Sequence, residues 1–510
     1  MPNTRFADYL SALKTDFVKI TRLEFLQPNG TIAFVLDNNY KNKRSGAFIQ
    51  DGTLSVNLQN GARRTASVML SNINGEFDFN VNNLWFGTKV RLQMGLLLPD
   101  GTEYLVPQGV FYLKDPTEVH EPSAKTISFS LVDKWAMLDG TLGGNLDGIY
   151  EVPLASNIFT AIDGLLKDDQ GNGKYFDDTP AIYTAYYNDK TQTLPDGTTA
   201  SLVESPYTAR FDSFGQSYAD IILELNDMVA GWIGYDASGA LRLEPSQDDI
   251  LDISKPILWT FTPSEKQFLG ATYNIKNTEV KNEIIRVGQA LDEGYSQVGA
   301  RAQNFDPSSD TNINLIGRKV DRQEKAGYYT SDICAALAEF ELKRNTILKK
   351  SVTIRSTQMF HLVENNLVVI RRLDKEGSPF ERHLINGFSI PLGQTGEMTI
   401  NATSVSDFPI ATVSYLGARV VTIVPSQTVT INVGAPTYLE DTVPDLFVDG
   451  ASVIMNIDGV DYPATVENLG GSLRAMYNDE NITVNFNKAV GSTVKVSDPL
   501  GTHTVSMRLA

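Results

Sequence analysis

Few side chains in this sequence have both the type and the spacing that chemistry requires. Gly173-Lys174 suggests a phosphate loop, but the glycine that should stand six positions before the lysine is replaced by Asp168. Gly215-Gln216-Ser217-Tyr218-Ala219 lacks the final glycine of a nucleophile elbow. His120-Glu121 runs into Pro122 with no second histidine, so it is not a zinc-protease helix. The single cysteine, Cys334, sits in an Ile-Cys-Ala-Ala-Leu run and reads as a buried helical side chain rather than a nucleophile. The acidic doublets Asp168/Asp169, Asp177/Asp178 and Asp248/Asp249 lie among turn formers, and such doublets are expected by chance among 61 acidic residues. The Asp-rich 168–178 stretch has calcium-type ligands without the spacing of an EF-hand loop. Trp85, Trp135, Trp232 and Trp259 stand at element ends and read as core packing, a sugar-stacking platform being the alternative. Lys41, Lys43 and Arg44 fall in a polar loop and read as solvated. No catalytic, cofactor-binding or metal-binding residue is expected, and the chain is not expected to be an enzyme.

Composition agrees. The 510 residues hold 43 Lys plus Arg against 61 Asp plus Glu, a formal charge of −18, with four His and one Cys. That balance argues against a surface that grips a nucleic-acid backbone. One Cys excludes an internal disulfide, and so few soft ligands disfavour most zinc or copper sites. The length allows three to five domains. The N-terminus lacks an apolar signal segment, and no run of 18 residues is free of both charges and turn formers, so a soluble chain made in a cytoplasm is expected. Phe6, Leu10, Leu13 and Phe17 follow helical spacing, so a helix begins the chain. It either packs on its own domain or docks on a neighbouring subunit.

The elements behind these residues are mostly strands. Leu54, Val56 and Leu58, then Ala66, Val68 and Leu70, then Ile127, Phe129 and Leu131 alternate with polar residues, the period of half-buried strands. Pro28-Asn29-Gly30 and Pro99-Asp100-Gly101 mark hairpins. Helices are expected over 158–166, 218–229 and 331–344, the last capped by Ser331. The order of elements repeats. A strand and hairpin lead to Gly109-Val110-Phe111 and the strand Thr126 to Asp133; later Leu367 to Arg372 and a turn lead to Gly387-Phe388-Ser389 and Met398 to Ser404. The fold class is mainly β with an α+β insertion. Four domains are expected: an N-terminal arm and first β-domain over 1–149, a mixed α+β insertion over 150–262, a second, related β-domain over 263–408, and a C-terminal β-sandwich over 411–510.

This order of parts resembles a family. Gly61-Ala62-Arg63-Arg64-Thr65-Ala66-Ser67-Val68, Gly109-Val110-Phe111, the hairpin Gly234-Tyr235-Asp236 to Pro245, the helix with Ala335 to Ala338 and Arg344, and Asn365-Asn366-Leu367-Val368-Val369 together resemble the baseplate-hub or tail-tip proteins of tailed bacteriophages and related contractile injection systems. The resemblance spans about residues 45–408; the last hundred residues lie outside it. It implies two tube-forming, barrel-like domains per chain and a homotrimer that caps the tail tube, converts six-fold to three-fold symmetry and forms part of the DNA channel. Implied partners are the tail tube or distal tail protein, the tape-measure protein, and tip fibre or receptor-binding proteins, with genomic DNA passing non-specifically and no membrane insertion by this chain. The implied location is the virion tail, assembled in the bacterial cytoplasm. The −18 charge serves either solubility or an acidic lumen that repels DNA phosphates. Two alternatives remain at this level: a tail-associated cell-wall hydrolase, and a host-surface carbohydrate-binding protein acting through 411–510.

Overall fold

The computed structural model describes residues 5–416 except 28–29, 42–45, 82–86, 123, 144, 147, 168–176, 178, 195–196, 213–214, 246–253, 276–277, 289–297, 326, 349, 373–378 and 406–408, and beyond 416 nine strands between 419 and 509. The fold is predominantly β, built on antiparallel sheets with few helices. It divides into two compact units. One comprises 1–284, 303–321 and 339–411; the other comprises 285–302, 322–338 and 412–510.

The first unit opens with helix α1 (Phe6–Leu13), followed by strands β1 (Val18–Leu26), β2 (Ile32–Asp37), β3 (Ala47–Asn57), β4 (Arg64–Asn72), β5 (Lys89–Leu97), β6 (Glu103–Glu121) and β7 (Ala124–Asp133). The alternation read from sequence is the burial pattern: Leu54, Val56, Ala66, Val68, Leu70, Ile127, Phe129 and Leu131 are all buried in one core. Both hairpins form, β1 with β2 and β5 with β6. Helix α1 packs on its own chain, with Tyr9 and Leu13 buried in that core. Burying side chains of this size is worth about 2–3 kcal/mol each, which outweighs the weak propensity of an eight-residue helix.

The insertion that follows is a small α+β layer. It contains α2 (Trp135–Leu138), β8 (Tyr150–Val152), α3 (Ile158–Leu166), β9 (Ile182–Tyr183), β10 (Thr191–Thr193), β11 (Thr199–Ser201), β12 (Ala209–Phe211), α4 (Tyr218–Met228), β13 (Gly231–Tyr235) and β14 (Leu241–Pro245). Its core gathers Ile158, Ile162, Leu165 and Leu166 of α3 with Ile221, Ile222 and Leu225 of α4. Asn157 caps α3, and a reciprocal Ser217/Asp220 capping box starts α4.

The chain then returns to the large sheet. After β15 (Ile257–Phe261) and β16 (Phe268–Ile275) come β17 (Glu283–Gly288), β18 (Gly299–Asn304), α5 (Ile313–Ile316), β19 (Val320–Lys325) and α6 (Ser331–Leu348). Last come β20 (Lys350–Ser356), β21 (Leu367–Arg371), β22 (Phe380–Pro391), β23 (Met398–Ser404) and β24 (Ala411–Leu416). Thirteen strands form one sheet in the order β16-β20-β23-β22-β3-β4-β7-β6-β5-β1-β2, with β21 bonded to β22 and β15. β15, which falls inside the expected 150–262 insertion, is thus a strand of the large sheet.

In the second unit, β17, β18, β19 and β24 form a separate four-stranded sheet. The stretch from β17 to β19, inside the expected 263–408 domain, is therefore not in the large sheet. The expected N-cap Ser331 is the first helical residue of α6; Thr330, one position earlier, accepts the Ile333 amide at 3.3 Å. Seven strands between 419 and 509 make one antiparallel sheet, and Thr430–Asn432 pairs with Pro436–Tyr438 as a separate hairpin.

Candidate assembly interface

The large sheet contains the same five-strand arrangement twice. β3-β4-β7-β6-β5 and β16-β20-β23-β22-β21 have the same order of connection and are antiparallel throughout. In each, the longest strand changes partner at a bulge. β6 pairs with β5 only through Tyr112, and its ladder with β7 breaks between Lys114 and Thr117. β22 pairs with β21 only through Leu384, and its ladder with β23 breaks between Ile385 and Gly387. Pro116 supplies no N–H to the ladder and Asp115 adopts φ +50°, which fixes the first bulge in the sequence. Aligning the two registers sets Tyr112 beside Leu384. The triplets Gly109-Val110-Phe111 and Gly387-Phe388-Ser389 are therefore not equivalent, since the first precedes its bulge and the second follows it.

Beyond its bulge β22 finds a new neighbour. Gly387–Pro391 pairs antiparallel with Asn57–Thr53 of β3, joining the two repeats within one chain. The seam buries Phe388 and Ile390 against Leu54 and Val56. It is extended by Leu58 N to Asn386 O at 2.6 Å and Leu392 N to Gly52 O at 2.8 Å. A Cβ at Gly387 would fall 2.4 Å from the Val56 carbonyl oxygen, so glycine allows this approach. β1 supports the seam from beneath: Lys19 Nζ donates to the Pro391 and Gly393 carbonyls, the latter at 2.7 Å, and Thr21 Oγ1 to Leu392 O at 2.9 Å.

Buried polar contacts tie the repeats further. Arg64 of β4 donates to Glu364 at 2.6 Å and to Gln108 O at 3.0 Å, while Gln108 Nε2 donates to Phe360 O at 2.9 Å. Arg64 and Glu364 are both buried. The amides of Arg63 and Arg64 donate to Asp133 Oδ2 at 2.8 and 3.0 Å; burial pushes that carboxyl up to about 6 despite these bonds. The Arg63 side chain runs beneath Gly234, where a Cβ would meet Nε at 2.2 Å. Tyr9 of α1 accepts the Phe360 amide and bonds His361 Nδ1, each at 3.0 Å. Burial lowers the His361 imidazole to about 4.

The equivalent of the seam is open at the other end of each repeat. Thr117–Glu121 of β6 pairs with β7 on one side, and among the described residues no strand lies on its other side. β16, the counterpart of β3, pairs with β20 and ends the sheet. Apolar side chains are exposed at both edges: Ile73, Phe79, Val81 and Val119 beside β6, and Leu269 and Ile275 on β16. Unpaired, partly apolar edges of this kind are templates for another strand.

Several residues considered for chemistry make packing or polar contacts in the fold. Trp135, Trp232 and Trp259 are buried, Trp232 packing on Phe340 and under Arg344. Cys334 is buried, and burial raises its thiol to about 12. Asp177 is buried against Lys134 Nζ at 2.6 Å. Ser217 is a helix cap, and Lys41 pairs with Glu103. Trp85, Lys43, Arg44, Asp168, Asp169, Asp178, Asp248, Asp249 and the Gly173-Lys174 pair lie outside the described residues. His120 lies on β6 beside Glu118 and Asp78, residues that a search for helical zinc motifs passes over.

No protein-family model and no curated protein matches the chain. Among solved structures it is similar to a tail protein from Neisseria meningitidis MC58, at 9% identity over 76% of this chain and 97% of that one, TM-score 0.49. It is also similar to the 43 kDa tail protein of prophage MuSo2 from Shewanella oneidensis, at 12% identity over 75% and 98%, TM-score 0.46. A third is the prophage tail protein gp18 from Listeria monocytogenes EGD-e, at 10% identity over 77% and 95%, TM-score 0.44.

Proposed function

We propose that this chain is a structural protein of a phage tail tip or baseplate hub, working as a homotrimer and not as an enzyme. One observation carries the reading: a duplicated five-strand module has one seam closed within the chain and the matching seam open at both ends. Strand β6 of one copy then accepts β16 of the next as β22 accepts β3. Transferring the register sets Thr117 opposite Asn274, Glu118 opposite Tyr273 and Val119 opposite Thr272 of the neighbouring copy. The contact is head-to-tail, so it closes into a ring when the rotation permits.

Three chains present six modules, which matches a six-fold tube on one side and a three-fold tip on the other. The ring caps the tail tube and continues the DNA channel, where the −18 charge disfavours adhesion of phosphates. In this reading the large-sheet strands of 1–149 and 257–404 supply the ring, 150–256 is an insertion, and 411–510 together with β17, β18 and β19 is an appended module. The partners are the tail tube or distal tail protein, the tape-measure protein, and tip fibre or receptor-binding proteins. Its place is the virion tail, after assembly in the bacterial cytoplasm. Native mass measurement of the purified chain tests the assembly: three chain masses are expected, and a monomer across concentration and salt would contradict it.

A further inference from the structure

One cluster of side chains has the makeup of a metal centre. Beyond its bulge β6 carries Glu118 and His120 two residues apart, hence on one face of the strand. Glu118 stands opposite Ile127 of β7, and Ile127 opposite Leu70 of β4, so this face continues the apolar core. The turn 73–81 folds over it, shaped by Gly75 at φ +71° and anchored by buried Phe77.

The turn brings Asp78 to the strand. Donor atoms of Asp78, Glu118 and His120 all lie within 4.8 Å of one another. Asp78 Oδ1 is 3.9 Å from His120 Nε2, and Glu118 Oε1 contacts the same nitrogen. Both carboxylates are held by fixed donors. The Phe79 amide donates to Glu118 Oε2 at 3.0 Å, and Asn72 Nδ2 to Asp78 Oδ1 at 2.7 Å, while Asn72 Oδ1 accepts the Phe77 amide at 3.1 Å. Outer hydrogen bonds of this kind orient metal ligands.

Charge points the same way. Two carboxylates converge, and among the described residues no Lys or Arg pairs with either. At this separation like charges repel, and one imidazole supplies at most one compensating charge. One nitrogen with two carboxylate oxygens suits zinc and its neighbours, whereas calcium takes six to eight oxygens and copper(I) prefers sulfur.

We propose that Asp78, Glu118 and His120 bind a divalent first-row transition-metal ion of zinc's class, which pins the 73–81 turn onto the outer half of β6. His120 is exposed, so water can reach an ion held there. All three ligands come from one chain, so metal binding does not require the neighbouring copy.

The test is metal uptake by the full chain after chelation and desalting. Zn²⁺ titrated by calorimetry should bind at one ion per chain, and Co²⁺ should give a visible absorption spectrum from bound ion. His120→Ala and Glu118→Gln, checked for native circular dichroism, should each weaken uptake by about tenfold or more and abolish the cobalt spectrum. His361 and His383 are buried and unaltered, so they serve as an internal control. No uptake by the unaltered chain, or equal uptake by the variants, would overturn the proposal.

Discussion

At the scale of single residues, the buried ion pair of Arg64 and Glu364 fixes how the two repeats meet. Removing one partner leaves the other charged and buried, at a cost of about 3–5 kcal/mol. Glu364→Gln should therefore lower stability by about 3 kcal/mol or more in urea unfolding. The double replacement Arg64→Met with Glu364→Leu should cost much less, and equal losses would contradict this role. His361 makes a pH-dependent contribution. Its folded-state pKa lies below the unfolded value of about 6.5, so the unfolded chain binds the extra proton between about 6.5 and 4. Stability from this group is complete above pH 6.5 and is lost as pH falls through that window. Asp133, raised to about 6, acts in the opposite sense between about 6 and 4. Comparison with His361→Gln, which retains Asp133, isolates the histidine: the unaltered chain should lose Tm more steeply on acidification, and parallel curves would exclude the assignment.

At the scale of elements, the seam between β22 and β3 depends on close backbone approach at Gly387. A methyl group there meets the Val56 carbonyl at 2.4 Å, and backbone cannot yield as a side-chain tip can. Gly387→Ala should destabilise the chain by about 1–3 kcal/mol in thermal or urea unfolding, and an unchanged midpoint would show that the seam relaxes freely. Much at this scale was legible in the sequence. Alternation of Ala66, Val68 and Leu70 with polar neighbours is a local pattern, and so is the helical spacing of Ile158, Ile162 and Leu165; both became the elements expected. What local pattern does not carry is pairing between distant segments. Nothing near Gly387 announces Val56 as its neighbour, and the stretch holding β17, β18 and β19 has the same strand signals as β16 yet leaves the large sheet. The Asp78, Glu118 and His120 cluster was hidden for the same reason, because a strand pair at i and i+2 meets a turn residue forty positions earlier.

At the scale of the whole molecule, the repeat order seen in the sequence has a geometric counterpart. One long strand per module changes neighbour at a bulge, and among the described residues the chain closes one of its two such seams. The open edges carry exposed Val119 and Thr272, whose substitution leaves the interior of the monomer unchanged. The most direct test of ring formation introduces charge at these two positions and reads the mass of the particle. Val119→Asp or Thr272→Asp alone places an unpaired charge in the seam, whereas Val119→Lys combined with Thr272→Asp sets opposite charges face to face at every junction. The expected result is dissociation to folded monomers by each single aspartate and recovery of the three-chain mass by the paired variant. A three-chain particle that survives both single substitutions, or a paired variant that stays monomeric, would contradict closure through β6 and β16.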